Sequence, residues 1–120
     1  MWTYVIAFTK DLSSFMMVRS RKRGDWEMPG GRSLPGEKPI ETSKREFMEE
    51  TGHELITGED LATPLGGGYV HFGFVGPGDP SRRSTLEILD VSFFSDLPGD
   101  LAYPFEEYGP LIDLGRRLLS

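Results

Sequence analysis

Glu46, Glu49 and Glu50 stand within the run Arg45-Glu46-Phe47-Met48-Glu49-Glu50, separated by one, three and four positions. A helix with 3.6 residues per turn brings side chains three and four apart onto one face, so these carboxylates would fall within about 100° of arc. Like charges so placed repel one another and weaken the helix that carries them. A solvated face relieves such crowding by alternating Glu with Lys, and no lysine stands between these glutamates. Crowded oxygen donors without a countercharge suit a hard divalent cation.

The residues around the cluster read as its support. Arg45 adjoins Glu46 and would therefore point elsewhere on the helix, where an ion pair back to Glu37 would pin the preceding loop. Gly30 and Gly31 follow Pro29 and permit positive φ in a turn. Gly52 is placed to cap the helix at its C-terminal end.

From Gly31 there are five residues to Glu37, seven more to Arg45, then Glu46, the Glu49-Glu50 pair and Gly52. This spacing resembles the signature of the Nudix hydrolases, Gly-x5-Glu-x7-Arg-Glu-U-x-Glu-Glu-x-Gly-U, where U is a bulky aliphatic residue. Phe47 and His53 depart from the pattern at the U positions; His53 affects packing after the helix rather than metal chemistry. Trp26-Glu27-Met28-Pro29-Gly30-Gly31 resembles the segment that leads into this box in the family.

The resemblance implies an α/β fold, an α/β/α sandwich with a mixed sheet, the box as loop-helix-loop and a C-terminal helix. It implies a Mg2+ site at Glu46, Glu49 and Glu50, with Mn2+ as a substitute, and structural roles for Gly31, Glu37, Arg45 and Gly52. Glu87 resembles, by position, a late glutamate that supplies a further ligand or the general base. The implied reaction is hydrolysis of the pyrophosphate linkage of a nucleoside diphosphate derivative. The short chain is similar to MutT-like enzymes, so the expected substrate is a (deoxy)nucleoside triphosphate, released as NMP and pyrophosphate. ADP-ribose, another nucleotide sugar or a dinucleoside polyphosphate is the alternative; Tyr69, sixteen residues past the box, resembles a marker of the last group. A non-catalytic nucleotide sensor is a further alternative, which loss of a box glutamate would have favoured; none is lost.

The elements that must position these residues can be read from pattern. Apolar and β-branched runs predict strands over 2–9, 15–18, 69–75 and 86–95. The helix of the box is expected over 40–51. A final helix is expected over 105–119, with Leu111, Leu114, Leu118 and Leu119 inward and a start displaced toward residue 109 by Pro110. GGG at 66–68 reads as a turn, and 76–84 as a loop wide enough for a lid. Arg19, Arg21, Lys22 and Arg23 crowd one hairpin loop. Arg19, Arg21 and Arg23 are candidate phosphate contacts, because a guanidinium fork matches phosphate oxygens. Trp26 and Tyr69 are candidate platforms for a nucleobase.

Composition narrows the class. With 120 residues the chain is expected to form one domain, 1–120, large enough for a true core. A 38% apolar and 27% charged composition is that of a folded chain rather than a disordered one. The absence of cysteine excludes thiolate chemistry. A net charge of −6 disfavours long nucleic acid as a partner, and a polyphosphate substrate would have to bring its metal ions with it. The opening residues carry no basic leader, and no apolar run approaches the ~20 residues that span a bilayer. The expectation is a cytoplasmic monomer or homodimer without a membrane partner.

Overall fold

The computed structural model describes all 120 residues. Seven strands form one mixed sheet: β1 (Trp2–Phe8), β2 (Phe15–Ser20), β3 (Trp26–Glu27), β4 (Gly30–Arg32), β5 (His53–Leu65), β6 (Gly68–Gly78) and β7 (Ile88–Phe94). Helix α1 (Pro39–Thr51) and helix α2 (Phe105–Leu119) pack on opposite faces of the sheet. The strand path is β3-β2-β1-β6-β5, with β4 added to β1 and β7 to β2. This is the α/β sandwich that the box resemblance implies. No helix is long and apolar enough to cross a membrane.

β1 is the spine. It pairs in parallel with β6 from Thr3↔Tyr69 to Phe8↔Phe74, while its other edge is shared between β4 at Trp2–Tyr4 and β2 at Phe8. A central strand covered on both faces must be apolar throughout, and Tyr4 to Phe8 are all buried. Successive side chains alternate. Tyr4, Ile6 and Phe8 join Phe15, Met17, Val70, Phe72, Tyr108 and Ile112 beneath α2, and Val5 and Ala7 join Met16, Phe47 and Leu55 beneath α1.

α1 begins one residue earlier than the pattern suggests, with Pro39 in its first turn, where the missing N–H costs little. Glu41 accepts the Lys38 N–H at 2.8 Å across that turn. The helix stops at Gly52, whose φ of 77° is left-handed and whose N–H donates to the Met48 carbonyl at 2.9 Å.

Several expectations are revised. α2 starts at Phe105 and runs through Pro110, because Tyr108 and Ile112, on either side of the proline, are both buried in the core. Its inner face is Tyr108, Ile112 and Gly115 with Leu111, Leu114 and Leu119 beside them, and Leu118 lies exposed. β5 is a 13-residue strand with register shifts between His53 and Leu55 and between Thr57 and Ala62. The polar Gly58-Glu59-Asp60 insertion there hides its period from the sequence. The 76–84 segment is no free lid. Gly76–Gly78 extend β6, and the Pro80–Arg82 turn is tied to the end of α1 through Asp79 N–H to Gly52 O at 3.0 Å and Ser84 N–H to Glu49 O at 2.6 Å.

Candidate active site

α1 and β4 build the site by close approach. Gly30 and Gly31 are extended residues of β4, not a positive-φ turn, so their use is to admit neighbours. A Cβ on Gly31 would lie 2.5 Å from Cδ of Glu46. Glycine at that position lets the Glu46 carboxylate lie against the backbone.

The three box glutamates differ sharply in environment. Glu50 is 8% exposed and accepts the Gly30 N–H at 2.9 Å. Burial pushes its carboxyl up to about 8, against the Gly30 hydrogen bond and with help from the charges of Glu46, Glu27 and Glu87. Glu46 is half-buried and also raised, first by burial and then by Glu49 and Glu87, with Arg45 opposing. Glu49 is exposed at the rim. Glu87 lies in the exposed segment before β7, close enough for its charge to act on both Glu46 and Glu50.

Arg45 does not point away from the cluster. Its Nε and Nη2 donate to the two Glu37 oxygens at 2.8 and 3.0 Å, its Nη1 to Glu46 at 2.8 Å, and Nη1 again to Glu49 at 3.3 Å. Nη2 also donates to the Arg32 carbonyl at 2.9 Å. The long side chain crosses the helix surface, which adjacency in sequence conceals. Glu37 is fixed further by the Leu34 N–H at 3.0 Å and the Thr42 hydroxyl at 2.8 Å. The Arg45 hydrogen bond, then that of Leu34, holds the Glu37 carboxyl down at about 2.

With Arg45 on two of these carboxylates and the Gly30 N–H on the third, no three histidine, aspartate or glutamate side chains come together at ion-holding spacing. The chemistry of the donor set nevertheless fits a hard cation. It is oxygen-only, and burial plus mutual repulsion penalise its charged forms at Glu46 and Glu50, a cost that a divalent ion offsets.

Gly30 and Gly31 also line a cavity of about 470 Å³. Trp2, Tyr4, Tyr103 and Tyr108 supply its aromatic wall, and Glu27, Arg32 and Glu107 its charges. Trp2 and Tyr4 stack at 5.8 Å with their planes 12° apart. Glu27 pairs with Arg23, and burial raises its carboxyl. These cavity residues escape a reading of the chain because the lining comes from four segments far apart in sequence, with Leu65 and Gly66 completing it. The sole local hint is the Tyr103-to-Tyr108 run with its two glutamates.

Other sequence candidates lie elsewhere. Trp26 packs edge-on against Phe94 at 4.8 Å, with the Arg19 guanidinium 5.9 Å above its ring. Arg19 Nε is bound to the Gly24 carbonyl at 2.7 Å and Arg21 Nε to the Thr85 carbonyl at 2.8 Å. Tyr69 lines a separate hollow with Lys38, Ile40 and His71. Of the three arginines named from the loop, Arg23 alone reaches the cavity wall, through Glu27. Gly52 is held at the junction of α1 and the 79–84 segment.

Comparison with known proteins places this geometry in a family. A curated Caenorhabditis elegans protein named as a nudix hydrolase is 38% identical over 47 residues, which is 39% of this chain and 18% of that one. The crystal structure of a UDP-X diphosphatase superposes with a TM-score of 0.74 at 20% identity, covering 97% of this chain and 62% of its own. An ADP-ribose pyrophosphatase from Streptococcus suis 89-1591 gives a TM-score of 0.75 at 19% identity, covering 96% and 90%. The chain thus spans less than a fifth of the curated relative and under two-thirds of the first of these structures. The family model described as the NUDIX domain matches residues 3–110, nearly the whole sheet, all of α1 and the start of α2, and the chain belongs to the Nudix family.

Proposed function

We propose that residues 1–120 form a single magnesium-dependent hydrolase domain that cleaves the pyrophosphate linkage of a nucleoside diphosphate derivative. The observation that carries this reading is that Gly30 and Gly31, which contact the Glu50 and Glu46 carboxylates, also line the aromatic cavity. An aromatic wall stacks a base, and carboxylates a few residues away serve its phosphates through a metal ion.

Glu46, Glu49 and Glu50 would hold Mg2+, or Mn2+ in its place. When bound, the ion neutralises charge on the phosphoryl oxygens and acidifies a water. The chain's own residues do the rest. Gly30 N–H holds Glu50 in place, Glu37 holds Arg45, and Arg45 orients Glu46 and Glu49. Glu87 is the proposed general base for the attacking water. Arg32, whose guanidinium pairs with no carboxylate, is available to phosphate oxygens at the cavity wall.

The finer reading is a MutT-like enzyme that converts a (deoxy)nucleoside triphosphate to NMP and pyrophosphate. The aromatic cavity of about 470 Å³ is sized for one nucleoside, which disfavours a dinucleoside polyphosphate. A second reading, a nucleotide sugar such as ADP-ribose, draws on the likeness to the UDP-X diphosphatase and the ADP-ribose pyrophosphatase. On either reading the enzyme is placed in the cytoplasm as a monomer or homodimer, acting on small nucleotides.

The test is incubation with Mg2+ and a panel of nucleoside triphosphates, ADP-ribose, a UDP-sugar and a dinucleoside polyphosphate, with products identified by mass. NMP and pyrophosphate from a triphosphate are expected. A nucleotide sugar turned over in preference selects the second reading. No turnover with Mg2+ or Mn2+ contradicts both and leaves a nucleotide sensor.

A further inference from the structure

Cleavage of the phosphates uses the carboxylates of α1 and leaves one carboxylate of the cavity without a task. Glu107, on α2, lines the cavity and accepts the Tyr4 hydroxyl at 3.3 Å. It has no basic partner, since all the ion pairs of the protein involve Arg23 or Arg45. An ionised carboxylate has about four acceptor sites on two oxygens, and Tyr4 takes one of them. Burial, then the Glu107 charge, pushes the Tyr4 phenol well up, so Tyr4 remains a donor to Glu107. The other buried hydroxyl on this wall, that of Tyr108, accepts the Met28 N–H at 3.2 Å.

Around this free acceptor Trp2 and Tyr103 carry the accessible ring surface, backed by the buried Tyr4 and Tyr108. Tyr103 stands edge-to-face against Tyr108 at 5.8 Å and is 47% exposed, and Trp2 continues the Tyr4 stack. At Glu107 a flat heterocycle on such a wall meets a carboxylate edge, which when ionised accepts hydrogen bonds and offers none.

We infer that Glu107 selects the base, taking a guanine whose ring N1–H and exocyclic 2-amino group donate side by side to the two oxygens of one carboxylate. This rests on the nucleotide-hydrolase reading and names the substrate class within it. Two parallel N–H donors facing one carboxylate repeat the bidentate geometry of a guanidinium–carboxylate pair. Adenine and cytosine set their amine beside a ring nitrogen lone pair, which opposes the second oxygen. Uracil presents one N–H between two carbonyls.

Binding can be read without metal and without turnover, because Trp2 lies in the cavity and Trp26 packs away from it on Phe94. Fluorescence titration of the metal-free protein with GMP, IMP, AMP, CMP and UMP should rank GMP tightest. IMP, which lacks the 2-amino group, should bind about tenfold more weakly, and UMP weaker by at least that factor. Glu107→Gln replaces one acceptor oxygen with a donor, so the ratio of GMP to UMP affinity should fall to within about threefold. Circular dichroism and the thermal midpoint confirm that the variant is folded. Equal affinities across the bases, no binding of any of them, or a guanine preference that survives Glu107→Gln overturns the inference. Its failure is separable from that of the hydrolase reading. A base-blind protein that still releases NMP and pyrophosphate loses the inference alone, and one that prefers GMP yet hydrolyses nothing loses the hydrolase alone.

Discussion

Arg45 and Glu37 form a two-pronged ion pair, Nε to Oε2 at 2.8 Å and Nη2 to Oε1 at 3.0 Å, and the remaining guanidinium nitrogen reaches Glu46 at 2.8 Å. The loop before α1 and the carboxylates on α1 are therefore held by one side chain. Glu37→Gln and Arg45→Met should each lower stability and activity together. The double variant should cost less than the sum of the two, because contacting residues are not independent. Additive losses in urea unfolding would show that the pair carries no coupling.

The same pair sets an acid limit. Glu37 titrates near 2 in the folded chain against an ordinary value of 4.5, so its contribution is complete above about 4.5 and is lost as pH falls through about 2. The stability gap between wild type and Glu37→Gln should narrow over that window. A gap that is constant from pH 6 to pH 2.5 would contradict the assignment.

How much of this was legible from sequence follows the range of the interactions. The box helix, its glycine cap and the Glu37–Arg45 pair lie within 16 residues of one another, and spacing alone was enough to propose them. Arg45 reaching Glu46 and Glu49 was missed because a long side chain bends across the helix surface. The conformation of Gly30 and Gly31 was misread because glycine permits both a turn and a tight extended approach, and only the Glu46 carboxylate behind Gly31 decides between them. The cavity was not legible at all: Trp2, Met28 and Tyr108 meet through β1, the link between β3 and β4, and α2, and nothing local links them. Aromatic character alone makes Trp26 and Tyr69 candidate base platforms, but the sheet turns Trp26 toward Phe94 and Tyr69 toward the start of α1.

Gly31→Ala separates chemistry from folding. The added Cβ would sit 2.5 Å from Cδ of Glu46, the movable end of a flexible side chain, so the carboxylate yields while the backbone does not. Turnover should fall by about tenfold or more, with the thermal midpoint little changed. Full activity in this variant would show that Glu46 need not occupy its observed position.

Glu87→Gln tests the proposed base. Its kcat should fall with KM nearly unchanged, as for an interaction made only in the transition state. The acidic limb of the pH–rate profile should shift or vanish. If both kcat and the limb persist, the general base lies elsewhere, with Glu46 and Glu106 the next carboxylates to replace.

Glu50 should make the metal-free protein less stable as pH rises. Its folded value of about 8 lies above the ordinary 4.5, so the native state holds a proton that the unfolded chain has released, and stability declines between those two values. Glu50→Gln keeps an acceptor for the Gly30 N–H and removes the charge. In EDTA at pH 9 it should melt several degrees above wild type. A variant that melts lower there would contradict the burial-driven shift.

The most direct test of the account is the turnover of Glu50→Gln at limiting Mg2+ on the nucleotide that the wild type hydrolyses. If Glu50 holds the catalytic ion, kcat/KM should fall by about 10² or more in a protein that is folded and, without metal, more stable than its parent. Wild-type kinetics in that variant would contradict the claim that these carboxylates carry the reaction.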